Sequence, residues 1–551
     1  MRLILSSLLL VAAGAAHADT VIEHANGYTL TSKNQLLRFS SMAFDDTGRI
    51  IAVGSAAHTR AKAARNARHV DMHGKTVIPG LIDAHGHVFS LGEQLSQLDL
   101  TTSASLAEAI KAVAEYARAN PDQAWLRGAG WNQETWKLGR FPTAAELDAV
   151  VADRPVWFDR VDGHAAWANT RAMQLAGINK DTSDPEGGRI MRDATGNPTG
   201  VFVDAAQNLV TKFIPKASEA EARAMLDRAL KRIAAVGLTS VHDAGIDSRQ
   251  DRIYRDYADR QQLSVRVYAM IADTGDDFDR LSKHGPLKTY ANDMYALRAV
   301  KLFGDGALGS RGAALLAPYS DEPGSRGLLF RKDDDLYGRM DKAMSLGYQV
   351  NVHAIGDAAN RQVLNGFASL SSEGSNAGLR HRIEHAQVIA PADIPRFKVL
   401  GIVPSMQPTH ATSDMNMAEQ RVGPQRIKGA YAWRTFLKQG SRIACGSDFP
   451  IESPNPFFGI HAAVTRQDEA SQPAGGWYPN QALTLNEALR CFTLDAAWAA
   501  HQESSLGSLE KGKWADFIVI GQDLFKVPAK DIRNLTVLAT WVGGRQVFEK
   551  K

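Results

Sequence analysis

Residues 76–88 read TVIPGLIDAHGHV. Val77, Ile78, Leu81 and Ile82 bracket Pro79-Gly80, and an Asp-x-His-x-His run follows from Asp83 to His87. In an extended segment side chains repeat with period two, so His85 and His87 project from the same face. Two imidazoles side by side at a strand end can supply two ligands to one divalent metal without bending the backbone. Chance competes with this reading, since 16 histidines in 551 residues yield about half an H-x-H at random. The pair therefore needs partners from elsewhere in the chain.

The chain around it is globular in composition, 44% hydrophobic and 22% charged, and long enough for one large α/β barrel with smaller satellites. A net charge of +3, with well-mixed signs, gives no electrostatic case for nucleic acid or an anionic membrane. Arg2 precedes the apolar run LILSSLLLVAAGAA, and Ala16-His17-Ala18 is an A-x-A cleavage site. The run is short for a membrane span. The expectation is a signal peptide over 1–18, export to the periplasm and a mature chain from Asp19 that has no span. No cysteine near the cleavage point argues for a lipid anchor. Cys445 and Cys491 are the only two in the chain. Each sits inside its own strand or helix pattern, so the two are expected to stay unpaired, although an oxidising periplasm would permit a bond.

Both ends of the chain read as short strands with turn signals, at Asn26-Gly27 and Asp45–Gly48 in the first case and Gly543-Gly544 in the second. Residues 19–75 and 508–551 are accordingly expected to pair into one small β-sandwich. Between them, 76–507 alternates strand and helix. Candidate strands are 77–83, 238–242, 265–271, 296–303, 349–353, 382–386, 402–407 and 442–447, the count of a (β/α)8 barrel. Helical patterns follow capping boxes at Ser218-x-x-Glu221 and Thr484-x-x-Glu487. The piece from about 91 to 217 is too long for one βα connection and reads as an inserted subdomain, which makes the barrel a distorted one.

Barrel enzymes build their sites at the C-terminal ends of the strands, so the polar residues found there are the test. The first strand ends in His85 and His87; the fourth carries Lys301 in an apolar run. The fifth ends at His353, the sixth at His385 and the eighth near Asp448. Four histidines and a carboxylate on one rim form a metal-ligating set; any one of them singly would be ordinary. His242, on the second strand, reads as barrel-rim filling.

These motifs, taken in order, resemble the amidohydrolase superfamily, in the branch that includes N-substituted formamide deformylase. The resemblance rests on IPGLIDAHGH, DGHAAWANTRAMQLAGI, VKLFGDGALGSRGAAL, VHAIGD, RIEHAQ, GSDFPI and the closing LGSLEKGKWADFIVI. It implies that His85, His87 and Asp448 hold one divalent ion and His353 and His385 a second. Lys301 stands where the superfamily uses a carboxylated lysine bridging two metals. Carboxylation needs the neutral amine, and burial beside cations disfavours the charged form. Without it, the site holds a single metal. Zinc suits such N and O ligands best. The chemistry implied is a water made acidic by the metal, with Asp448 taking its proton and passing it to the leaving nitrogen. The metal, His353 or His385 would polarise the carbonyl.

Substrate contact is expected of His164 and Trp167, with Trp131, Arg311, Gln407 and His410 as further candidates. For the aromatic residues subdomain packing competes with that role, and for Arg311 an ion pair does. The leading function is exported hydrolysis of an amide or N-acyl bond in a small molecule. An ester, lactone or carbamate would pass through the same tetrahedral geometry and stays open. A non-catalytic binding barrel is disfavoured because every ligand position is filled. A homodimer stays open.

Overall fold

The computed structural model describes residues 18–551 apart from 134, 161–162, 164, 186–187 and 371–376. The chain divides into two compact units: the residues up to His87 together with Lys231–Lys551, and Val88–Leu230.

The first unit contains eight parallel strands. They are β1 (Leu81–Gly86), β2 (Leu238–Ile246), β3 (Arg266–Ala272), β4 (Tyr295–Phe303), β5 (Gln349–Ala354), β6 (Arg382–His385), β7 (Val403–Met406) and β8 (Ala444–Cys445). Each pairs with the next in chain order, and a short antiparallel strand, Leu287–Tyr290, lies on β4. A strand covered on both faces reads as a near-continuous apolar run. In β3, Val267, Tyr268, Ala269, Met270 and Ile271 are all fully buried. The ring closes where β8 meets β1, through a parallel bridge between Gly86 and Phe449. There the His87 N–H donates to the Phe449 carbonyl, and the Asp448 N–H to the His85 carbonyl, each at 2.7 Å.

The strand read as 77–83 is in fact two. Thr76–Pro79 belongs to a sheet made from the chain ends, pairing with Asn26–Leu30 on one side and Phe517–Ile520 on the other. β1 begins only at Leu81. Gly80 makes the break possible, since a Cβ there would lie 2.1 Å from Thr239 Oγ1 on β2. The terminal segments build a four-stranded and a six-stranded sheet. Residues from both ends share one core, in which Ile22, Met42, Phe44 and Val77 meet Phe517 and Trp541. Arg266 of β3 is buried against the second of these sheets, with Nε and Nη2 at 2.6 and 3.0 Å from the two oxygens of Asp516.

The second unit is built on a six-stranded mixed sheet. It also holds the helix Leu106–Ala119, whose first turn is capped by the Ser105 side chain accepting from the Glu108 N–H. Trp131, Trp136, Phe158 and Trp167 fill one core of this unit. Among the described residues no helix is long and apolar enough to cross a membrane.

One expectation is overturned: Cys445 and Cys491 are joined by a disulfide, with Cα atoms 5.1 Å apart. Each residue does lie in its own element, at the end of β8 and at the end of the helix Leu485–Cys491. What local pattern does not carry is that this helix lies on that strand end. Alkylation of the unfolded, unreduced protein should label no cysteine. Cys491→Ser, which opens a loop of sequence separation 46, should lower stability by about 2–4 kcal/mol in a denaturant titration.

Candidate metal centre

The C-terminal ends of the barrel strands bring six polar residues of the first unit together. His85 Nε2 and His87 Nε2 lie 3.4 and 3.1 Å from the same Asp448 oxygen, Oδ1. Lys301 Nζ is 3.3 Å from His85 Nε2. The rings of His85 and His385 are 4.9 Å apart, and those of His353 and His385 4.5 Å. One ligand atom from each of His85, His385 and Asp448 falls within 4.8 Å of the others. The backbone turns at the ligands themselves: His385 and Asp448 have φ of 72° and 62°. That left-handed conformation is sparsely used by residues other than glycine, and such strain gathers at functional sites.

The donors are in the form that binds cations. Burial and the nearby Lys301 charge lower His85 to about 4 and His353 to about 3, and burial takes His385 well below the usual range. These imidazoles are neutral near pH 7, each with a lone pair to offer. His353 Nε2 is buried with no hydrogen-bond partner among the described residues. Its nearest carboxylate oxygen, Asp305 Oδ1, is 3.6 Å away, and a buried nitrogen without a hydrogen bond is costly unless something binds it. Burial likewise brings the Lys301 amine down to about 8. Burial alone would raise Asp448, yet the hydrogen bond with His87 and the neighbouring His85, His385 and His410 hold it well below the ordinary carboxylate range. Two imidazole nitrogens, of His85 and His385, and the Asp448 carboxylate in one buried cluster fit a divalent cation.

Beneath the cluster lies a support whose members the sequence reading left without roles. Glu384 Oε2 is 2.5 Å from His85 Nδ1, which commits the Nδ1 proton to the carboxylate and leaves Nε2 as the free donor. Arg382, two residues earlier on β6, faces the same way. Its Nε is 2.8 Å from Glu384 Oε1, and its Nη2 donates to the Ala84 carbonyl and to Ser405 Oγ. Both side chains are fully buried. Burial would raise Glu384, but Arg382 and His85 outweigh it and hold the carboxyl well down. The signal was present in RIEHAQ, as an Arg-x-Glu pair of period two inside a buried strand. His242, expected as rim filling, sits instead inside the barrel, its Nδ1 3.0 Å from Arg382 Nη1.

Two further carboxylates brace the loops. Asp83 accepts from the His85 N–H, the Ser447 N–H and Ser447 Oγ, tying β1 to the turn that carries Asp448. Gly446 is needed between them, since a Cβ there would lie 2.5 Å from the His85 nitrogen. Asp305 accepts the N–H groups of Ala314, Ile355 and Gly356 beside His353. Burial raises both acids to about 7.

The expected substrate contacts divide. Gln407 Oε1 lies 2.8 Å from His385 Nδ1, and His410 Nε2 3.7 Å from Asp448 Oδ2, so both adjoin the cluster. Arg311 is engaged by Asp321 and Glu322, at 3.0 and 3.1 Å. Trp131 and Trp167 need correcting. Both are fully buried in the core of the second unit, with their indole N–H groups donated to the carbonyls of Phe158 and Thr143. A large aromatic in a small unit is worth most as core, and its N–H then needs a partner inside. His164 lies outside the described residues.

A sequence model described as the amidohydrolase family matches residues 68–548. Protein LONG AFTER FAR-RED 3 of Arabidopsis thaliana is 35% identical, over 96% of this chain and 92% of its own length. N-substituted formamide deformylase of Arthrobacter pascens is 30% identical, over 97% and 98%. Among solved structures, an uncharacterized metal-dependent hydrolase from Pyrococcus horikoshii OT3 superposes with a TM-score of 0.78. It is 27% identical and covers 93% of this chain and 99% of its own.

The support beneath the cluster yields a direct test. Glu384→Gln keeps the shape but no longer fixes the His85 tautomer, and metal affinity should fall about 10- to 100-fold in a chelator competition. Unchanged affinity would remove Glu384 from the site.

Proposed function

Because this chain belongs to the amidohydrolase family, we propose that it cleaves a carbon–nitrogen bond, amide or N-acyl, in a small molecule. It is a metal-dependent hydrolase, with His85, His385 and Asp448 at its metal site. The observation that carries the proposal is Asp448: a buried carboxylate with one oxygen 3.1 Å from His87 and the other 3.7 Å from His410.

We assign His85, His87, His353, His385 and Asp448 as ligands, zinc as the ion, and Lys301 as a sixth ligand. When bound, a divalent ion supplies Lewis acidity, which brings a water toward ionisation at neutral pH and polarises a carbonyl. The residues do the rest. Asp448 accepts the proton of the attacking water on a carboxylate oxygen and returns it to the departing nitrogen, which leaves as an amine. His353 and His385, both neutral, would stand beside the carbonyl oxygen, where negative charge develops in the tetrahedral intermediate. Gln407 orients His385, and His410 flanks the second oxygen of Asp448. The lowered Lys301 amine supports carboxylation: its free base can add to CO2, forming an N–C bond and releasing one proton. With that carbamate in place the chain holds two ions; without it, one. We also propose export to the periplasm, in keeping with the apolar run and A-x-A motif within residues 1–18 and with the disulfide, which persists in oxidising compartments.

Asp448→Asn tests the proposal. The amide is nearly isosteric and the histidines remain, so most of the metal should stay while turnover falls by about 10²–10⁴-fold. Full turnover with intact metal would give the proton transfer to another group. Loss of metal in proportion to activity would make Asp448 a ligand only. Elemental analysis of the purified protein should find one to two zinc-like ions per chain, and a panel of N-acyl amines against matched esters decides the bond.

A further inference from the structure

Phe303 closes β4 two residues after Lys301 and projects from the same face. Its ring lies 5.4 Å from that of His353, and Lys301 Nζ is 4.5 Å from the ring centroid. It therefore touches two residues of the metal cluster, yet it is 42% exposed. The following loop returns to the same place, where the Phe330 N–H donates to the Gly304 carbonyl at 2.8 Å. This brings up Leu328, Leu329 and Phe330, which are 64%, 37% and 52% exposed. Phe303 thus exposes a large apolar side chain at the strand end, and the loop segment tied to the same place by that bond exposes three more, the kind of surface that marks binding. Of the cations nearby in sequence, Arg311 is paired with Asp321 and Glu322 and Arg331 with Asp273 and Asp335, while Lys301 and Lys332 stand two residues from Phe303 and Phe330.

We infer that Phe303 and the segment Leu328–Leu329–Phe330 receive an apolar substituent, aromatic or branched hydrocarbon, on the substrate whose carbonyl is held at the metal cluster. This rests on the hydrolase reading and names the substrate class for it. Phe303 sets the end of the pocket nearest the reacting centre, and the loop residues set its outer wall. A phenylalanine side chain covers about 200 Å², so covering the exposed part of this ring is worth about 2 kcal/mol at roughly 25 cal/mol per Å². That corresponds to about 30-fold in affinity.

The test uses the full-length protein loaded with Co2+ and two metal-binding probes, benzohydroxamate and acetohydroxamate, followed by cobalt absorption rather than turnover. Each affinity is divided by that of the same probe for free Co2+. Benzohydroxamate should bind at least about 10-fold the tighter in the unaltered protein. Phe303→Ser should bring the ratio to within about two-fold. The exposed pair Leu328→Asn/Phe330→Asn, which leaves the barrel interior alone, should reduce it in the same direction. A ratio near one in the unaltered protein overturns the inference, as does a preference that survives both sets of substitutions. If the exposed pair instead converts a dimer to a monomer in sedimentation velocity and leaves the ratio as it was, the patch belongs to a second copy of the chain. A chain that takes up no cobalt overturns this inference and the hydrolase reading together, whereas cobalt binding without probe preference overturns this one alone.

Discussion

The Glu384 carboxylate is the contact on which the metal centre depends. It is fully buried, with Arg382 on one side and His85 Nδ1, at 2.5 Å, on the other. A carboxylate in such a place is tolerated only when its charge is matched and its lone pairs are used. Here the charge is matched by Arg382, and Oε2 takes hydrogen bonds from Arg382 Nη2 and His85 Nδ1, residues that also do structural work. Arg382 reaches the Ala84 carbonyl on β1, His242 on β2 and Ser405 on β7. One ionic group thereby links four strands across the barrel and presets the ring of the first ligand. Removing either charge would leave the other uncompensated, which is the costly way to break a buried pair.

The weakest part of the ring is also the part that carries Asp448. β8 has only two residues in its ladder, paired with Ser405 and Met406 of β7, and it meets β1 through the single Gly86–Phe449 bridge. Three devices reinforce it. Asp83 takes the backbone N–H and the hydroxyl of Ser447, Gly446 lets the two chains come close, and the Cys445–Cys491 bond ties the strand to the helix behind it. Short strands and a left-handed turn at the ligand leave the carboxylate aimed by its surroundings rather than by a regular ladder. That is an economical way to hold a metal-site carboxylate still.

Much of the centre was legible in the chain itself. Polar residues at the ends of apolar runs, His353, His385 and Asp448 among them, converge because parallel strands with helical returns close into a ring with all C-terminal ends on one side. Lys301 was legible too, as a lone amine in an apolar segment. Glu384 was missed, although RIEHAQ sets it two residues from Arg382 and next to His385. A buried acid looks the same in sequence whether it faces a metal ligand or the outer helices. The tryptophans misled for the opposite reason: Trp131 and Trp167 sit among polar motif residues, but their surface and their N–H groups are spent on the core of their own unit.

By itself the sequence determined the barrel, the sheets built from the chain ends, and the residue types of the metal cluster, because period-two alternation, apolar run length and ligand chemistry are local properties. The tertiary structure decided which of those residues share atoms. It split the segment 77–83 at Gly80 between two sheets, since only a residue without a Cβ passes Thr239. It paired two cysteines from elements that are separate in the chain, and it set Glu384 against a histidine 299 positions away. Such contacts follow from closing the ring, where the last strand must meet the first, and no window of the sequence contains both.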